Sequence, residues 1–196
     1  MSKNPDTRRV LVGISGASGS LYGVRLLERL AEAGLETHAI LSRAAETTLA
    51  HETDLTADDV RRRASVSHAP EDLAAAPSSG SFPVLGMIVA PCSVRSMAEI
   101  ATGATTTLLT RAADVTLKER RPLVLMVRET PLHAGHLRTM LTLAEMGVTI
   151  APPMPAFYGR PATIDALVDH SVGRVLDLFG LPAPGVQRWN GAEGDA

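Results

Sequence analysis

The chain has 196 residues, 45% hydrophobic and 20% charged, with a formal net charge of −2. That length suits one globular domain, no apolar run reaches the roughly 20 residues of a membrane-spanning helix, and near-neutral charge with only six aromatic residues argues against nucleic-acid binding, which draws on a basic field and stacking rings. The polar opening residues lack the apolar stretch of a signal peptide, so a cytoplasmic protein is expected, and the single cysteine, Cys92, excludes an internal disulfide and a cysteine-rich zinc site.

Residues 9–15 (RVLVGIS) form a β-branched run bounded by glycine, and Leu21, Val24, Leu27 and Leu30 follow at helical spacing. This predicts strand, turn and helix, with Gly34 ending the helix. Residues 35–41 (LETHAIL) alternate as a second strand, and Ser42 opens a helix to about residue 51. A short charged helix over 56–63 precedes a loop over 69–82, rich in Ala, Pro, Ser and Gly and expected to be mobile. Residues 84–90 are apolar throughout, as a strand covered on both faces should be, and Pro91-Cys92-Ser93 ends it at a helix start. A helix over 108–121, a strand over 123–127, a helix over 137–146, a strand over 148–151, a proline-rich loop over 152–161 and a last helix over 164–179 complete the series.

Five such units predict an α/β fold: a three-layer, Rossmann-like, doubly wound sheet, mostly parallel, with helices on both faces and ligands beyond the carboxyl ends of the strands. By that rule residues 15–19, Ser42-Arg43, residues 91–96, Arg128-Glu129 and the loop carrying Tyr158 should converge on one crevice. Residues 1–8 are expected to be a disordered segment, 9–180 a single domain and 181–196 a tail.

The first turn, Gly13-Ile14-Ser15-Gly16-Ala17-Ser18-Gly19, lets backbone approach a ligand and aims helix N-terminal amides at an anion. Its glycines lie three apart, unlike the GxGxxG of dinucleotide folds, and the second strand ends at Ser42, where an NAD site wants an acid. A mononucleotide such as FMN fits better; a turn that serves only tight strand–helix packing is the alternative. Residues 91–96 place Ser93, Arg95 and Ser96 at another helix start, suited to a phosphate or equally to ordinary capping by Ser93. Cys92 reads as a buried thiol rather than a nucleophile. The run Lys118-Glu119-Arg120-Arg121 before Pro122 is most simply a solvated helix end. Arg128-Glu129, an opposed pair directly after an apolar strand, sits where sheet topology places ligands, and we assign it to function. His133 and His136 find no third metal ligand, so capping or surface roles are expected and no metal. Asp58-Asp59 leads into Val60-Arg61-Arg62 and lacks the DDxxD pattern of magnesium-dependent prenyl diphosphate enzymes.

Together, GISGASGSLYGVRLL at 13–27, SSGSFPVLGMIVAPCS at 78–93, LLTRAADVTLKERRPLVLMVRETPLH at 108–133 and PAFYGRP at 155–161 closely resemble the UbiX-type flavin prenyltransferases, from about residue 9 to residue 189. The resemblance implies transfer of a dimethylallyl group from dimethylallyl phosphate to N5 and C6 of reduced FMN, giving prenylated FMN for UbiD-type decarboxylases. It implies that Gly16, Ala17, Ser18, Ser42, Ser93, Val94, Arg95, Ser96 and Arg128 hold the flavin. Tyr158 and Arg174 would hold the prenyl phosphate with Lys118 and Arg111 nearby, Glu52 and Glu129 would be the acidic site groups, and Ser18 would lie close to the flavin's reactive edge. Homododecamers with sites built between subunits are also implied. One departure stands out: residues 73–77 offer no aromatic side chain where some members carry one, and Phe82, Trp189 or the flavin would have to cover the allyl group.

Physical chemistry supports a metal-free leaving-group site. Each cation about 4 Å from the phosphate contributes roughly 4 kcal/mol at an effective dielectric near 20, so Lys118, Arg128 and Arg174 could supply about 12 kcal/mol of gross attraction. Only the part that grows as the C–O bond breaks accelerates the reaction. Glu129 is the candidate for relaying a proton between flavin and phosphate. Two other readings stand against this one. An FMN-dependent cysteine-type decarboxylase would carry PASANT and PxMNxxM signatures where this chain has PCSVRS and PMPAFY, and a non-catalytic flavin carrier or decarboxylase subunit would need no phosphate site beside the flavin.

Overall fold

Runs rich in Val, Ile, Leu and Ala supply most of one six-stranded sheet in the computed structural model, which describes residues 8–183 and 186–189. The strands are β1 (Arg9–Ile14), β2 (Glu36–Leu41), β3 (Val66–His68), β4 (Gly86–Cys92), β5 (Leu123–Val127) and β6 (Thr149–Ile150). Their order is β3-β2-β1-β4-β5-β6, and every pairing among the described residues is parallel. The helices are α1 (Ser20–Glu32), α2 (Arg43–Glu52), α3 (Ala57–Arg63), α4 (Val94–Thr102), α5 (Leu108–Lys118), α6 (Ala134–Glu145) and α7 (Ile164–Leu178). The chain winds outward in both directions from β1 and β4, so the topological switch point lies between them. The expected doubly wound α/β sheet is present, with no antiparallel strand among the described residues.

Parallel strands need both faces covered, and two cores do this. Val10, Val12, Ile88, Val124 and Met126 pack under α1 and α7 on one face, while Leu11, Met87, Val89, Leu123 and Leu125 pack under α4, α5 and α6 on the other. Helix starts follow the capping rules: Ser42, Thr107, Ser93 and Thr163 each accept a backbone N–H, and Thr56 with Asp59 forms a capping box. Asp59 therefore caps α3, which accounts for half of the Asp58-Asp59 pair. No helix among the described residues is long and apolar enough to cross a membrane.

The structure revises three expectations. First, β2 does not alternate: Thr37 to Leu41 are all buried, because its polar members find partners inside, Thr37 with Ser65 and His38 with Glu36 and His68. Second, β3, unmarked in the sequence, adds an edge strand of three residues, paired through His38↔Val66 to Ile40↔His68. Third, the loop over 69–82 is tied down along its length: Pro70 accepts from Leu108 N–H, Ser78 from Arg111, and Gly80 and Phe82 from Arg121.

Candidate functional site

At the switch point the loops after β1 and β4 are fastened by one buried side chain. The Ser15 hydroxyl donates to the Pro91 carbonyl at 2.9 Å and accepts from Ser93 N–H at 2.7 Å. Ser93 in turn caps α4 through Ser96 N–H and hydrogen-bonds the Ser96 hydroxyl at 3.2 Å. Val94 and Arg95 open that helix, but the Arg95 guanidinium turns to Glu99, at 2.8 Å. Ser42 caps α2, and its N–H reaches the Ile14 carbonyl at 2.9 Å, which brings the end of β2 against the same turn.

The glycines of the turn have separate reasons. A Cβ on Gly16 would lie 2.4 Å from the Ala44 Cβ, so this glycine lets α2 pack against the turn. Gly19 has φ 103°, open to glycine and strained for other residues, and a Cβ there would meet Tyr22 and the Arg128 side chain. Among the described residues the amides of Gly16, Ala17 and Ser18 meet no protein acceptor, and Arg128 pairs with no carboxylate. Beside them, Gly19 N–H and Ser20 N–H both donate to the Glu52 carboxylate at 2.9 Å. The anion at the N-terminus of α1 is thus the protein's own. Partial burial pushes the Glu52 carboxyl up, but hydrogen bonds from the Ser18 hydroxyl and the Ser20 and Gly19 amides outweigh this and hold it below the ordinary carboxylate range. Glu129 is exposed, and its only hydrogen bond among the described residues comes from Thr130 N–H at 3.0 Å. Cys92 is fully buried, and burial pushes its thiol up to about 12, which removes it as a nucleophile. His133 caps α6 and stacks on His136 at 3.6 Å.

A second polar cluster lies beside α7. Tyr158, Arg174, Arg188 and Trp189 line one cavity, and Arg174 with His170, Met126 and Ala151 lines its neighbour. The Tyr158 hydroxyl meets His170 Nε2 at 2.8 Å, and the Trp189 ring crosses the Tyr158 ring at 6.1 Å. Asp177 holds Arg174 at 2.6 Å and Arg188 at 2.8 Å. The Arg188 hydrogen bond is the chief reason that the Asp177 carboxyl stays below its usual range. His170, Asp177 and Arg188 carry no motif, and sequence reasoning missed them; they become visible only when α7 and the chain after it come together.

Arg111 and Lys118 lie elsewhere in the chain. Both are on α5, which packs on the sheet face opposite α7. Lys118 pairs with Glu119 at 2.6 Å at the end of α5, just before β5 begins, and a Cβ on Gly80 would lie 2.7 Å from its Nζ. Arg111 binds Asp114 at 2.8 Å and the Ser78 carbonyl. One chain therefore brings Gly16, Ala17, Ser18, Ser42, Glu52, Ser93, Ser96 and Arg128 to the switch point and Tyr158 with Arg174 to α7, while Lys118 and Arg111 remain across the sheet. The single crevice expected for all the strand-end loops is resolved into these separate groups.

The sequence matches the flavoprotein family over residues 1–176. It is 53% identical over 188 residues to the flavin prenyltransferase UbiX of Escherichia coli (strain K12), covering 94% of this chain and 100% of the relative. Among solved structures, AnUbiX in complex with FMN and dimethylallyl pyrophosphate superimposes with a TM-score of 0.94 at 48% identity, covering 95% of this chain and 100% of the other. A dodecameric FMN-dependent UbiX-like decarboxylase from Escherichia coli O157:H7 gives a TM-score of 0.92 at 51% identity, covering 93% and 100% of the respective chains.

Proposed function

The chain belongs to the flavoprotein family and, within it, to the UbiX-type flavin prenyltransferases, and from that premise we propose that it transfers a dimethylallyl group from dimethylallyl phosphate to N5 and C6 of reduced FMN, without a metal, to make prenylated FMN for a UbiD-type decarboxylase. The observation that supports this reading is a second polar cluster with cationic side chains, Arg174 and Arg188 with Tyr158, that shares no lining residue with the glycine turn. A flavin carrier needs one phosphate site; a prenyl donor needs another.

The residues at the switch point fit a flavin mononucleotide. The unpartnered amides of Gly16, Ala17 and Ser18 beside Arg128 suit its phosphate, and Ser42, Ser93, Val94, Arg95 and Ser96 at the starts of α2 and α4 are the flanking candidates for the rest of it. Reduced flavin supplies the nucleophilic nitrogen and ring carbon. The protein's part is to hold the phosphate of the donor so that charge gathering on its bridging oxygen is met by cations as the bond to carbon breaks. Arg174 and the Tyr158 hydroxyl do this from one copy, and Lys118 and Arg111 from a neighbouring copy, since their own face of the sheet is turned away from α7. Glu129, directly after the strand that delivers Arg128, would pass the proton that N5 gives up on alkylation to the departing phosphate; the later closure at C6 loses one proton there and takes one up at the allyl alkene carbon, so it is proton-neutral overall. Glu52 locks the Gly19 turn, and with it the position of Ser18 at the flavin edge.

The test is anaerobic incubation of the purified protein with reduced FMN and dimethylallyl phosphate, followed by mass spectrometry of the extracted cofactor. One added C5 unit is expected; unaltered FMN at saturating donor refutes the reading.

A further inference from the structure

Tyr158 lies on the loop after β6 and His170 on α7, and their polar atoms meet at 2.8 Å with the rings crossing edge-on at 79°. Among the described residues the hydroxyl's other hydrogen-bond partner is the Gln187 carbonyl at 3.3 Å. A phenol carries one proton. If that proton points at His170, none remains for an anion in the cavity. If instead His170 Nε2–H donates to the Tyr158 oxygen, the phenolic proton faces outward, held among the described residues by the long contact to Gln187, and an incoming anion can take it over. Donation into the oxygen also polarises the hydroxyl and strengthens what it donates onward. His170 and Arg174 are one helical turn apart and line the same cavity, and Arg174 lines the adjoining one with Tyr158.

We propose that His170 is a positioning residue of the donor pocket: its Nε2–H donates to the Tyr158 oxygen and so aims the phenolic proton at the phosphate of the prenyl donor. The inference rests on the prenyltransferase reading above. It requires no particular charge on His170, because the Nε2–H tautomer and the imidazolium both donate there. The groups that surround the pair are Arg174 on the same helix and, across Tyr158, Arg188 with Asp177. Asp169, next to His170 in sequence, is taken up by Arg25 and Arg29 of α1.

The test uses the assembled, flavin-loaded protein, with calorimetric titration of dimethylallyl phosphate alongside prenylation kinetics. His170→Phe should weaken donor binding and raise KM by about tenfold, the size of one lost hydrogen bond to a charged acceptor, while FMN affinity and assembly size stay unchanged. His170→Gln, whose amide N–H reaches nearly the same point, should recover most of that loss. In a Tyr158→Phe background, His170→Phe should cost nothing more, because the hydroxyl it served is gone. Equal losses with and without the Tyr158 hydroxyl, or a Gln variant as weak as the Phe variant, overturn the inference. If the Phe variant does not assemble, His170→Asn, whose amide is too short to reach the hydroxyl, takes its place in the same cycle. A wild type that binds and consumes the donor while the His170 variants match it refutes this role alone. A wild type that neither binds nor consumes it refutes the prenyltransferase reading, and this role with it.

Discussion

Two side chains far apart in chemistry show how burial and backbone donors set behaviour in this protein. The Glu52 carboxylate takes the amides of Gly19 and Ser20, the cap and the first residue of α1, and its carboxyl is held below the value it has in an unfolded chain. A group lowered on folding stabilises above its unfolded pKa and stops doing so as pH falls through the folded one. Glu52→Gln should therefore unfold at lower urea than the wild type at neutral pH, and the gap should close below about pH 4; urea midpoints across a pH series report this, and a gap that persists in acid contradicts it. Cys92 is the opposite case, with a thiol pushed up to about 12 by burial. Its contribution is intact below the unfolded value and fades as pH rises through roughly 8.5 toward the folded one. Native protein at pH 9 should resist iodoacetamide and react only in urea, read by intact mass; rapid native labelling would contradict the buried environment.

Between elements, close approach decides. Gly23 sits where α1 crosses β4: a Cβ there would lie 2.4 Å from the Ala90 carbonyl oxygen and 2.7 Å from an Ile14 methyl. A carbonyl oxygen in a central strand cannot retreat without moving the strand, so Gly23→Ala should cost about 1–3 kcal/mol in chemical denaturation with the fold retained. Such contacts also mark what the sequence could and could not reveal. β4 and β5 were legible because strands covered on both faces become unbroken apolar runs, and the switch-point turn was legible because topology fixes where a strand's carboxyl end must lie. β2 was legible as a strand but not in its burial, because Thr37 and His38 are polar yet buried, satisfied by Ser65, His68 and Glu36, and such pairings are invisible before the sheet is assembled. Glu52 could not be paired with Gly19 from periodicity, being 33 residues away. Its one local signal is an acid in the last turn of α2, unfavourable to the helix dipole there and so a hint of another partner. Lys118 shows the converse: the end of a helix that feeds a strand lies at that strand's amino edge, away from the ligand side, so the plain reading of a solvated helix end was right about its place within one chain.

At the scale of the whole molecule, that placement turns the reaction into a question about copies. Arg174 and Lys118 are carried on helices that cover opposite faces of one sheet, so no single chain can close both on one phosphate. In the proposed site the two cations come from different copies, and lesions in them should complement. Lys118→Gln and Arg174→Gln, each assembled alone, should lower prenylation by about 10²-fold, the usual cost of removing one group that meets transition-state charge. When the two variants are co-expressed in equal amounts with separate tags and mixed assemblies are isolated, half of the copies supply an intact Lys118 and half an intact Arg174. Random pairing then leaves about a quarter of the sites with both, and activity should return to about a quarter of wild type. If one chain furnished both cations, every site in a mixed assembly would carry one lesion and activity would stay at the level of the single variants. The readout thus separates a site shared between copies from a site within one chain without any assumption about the number of copies, since the pairing statistics depend only on whether the two cations travel together.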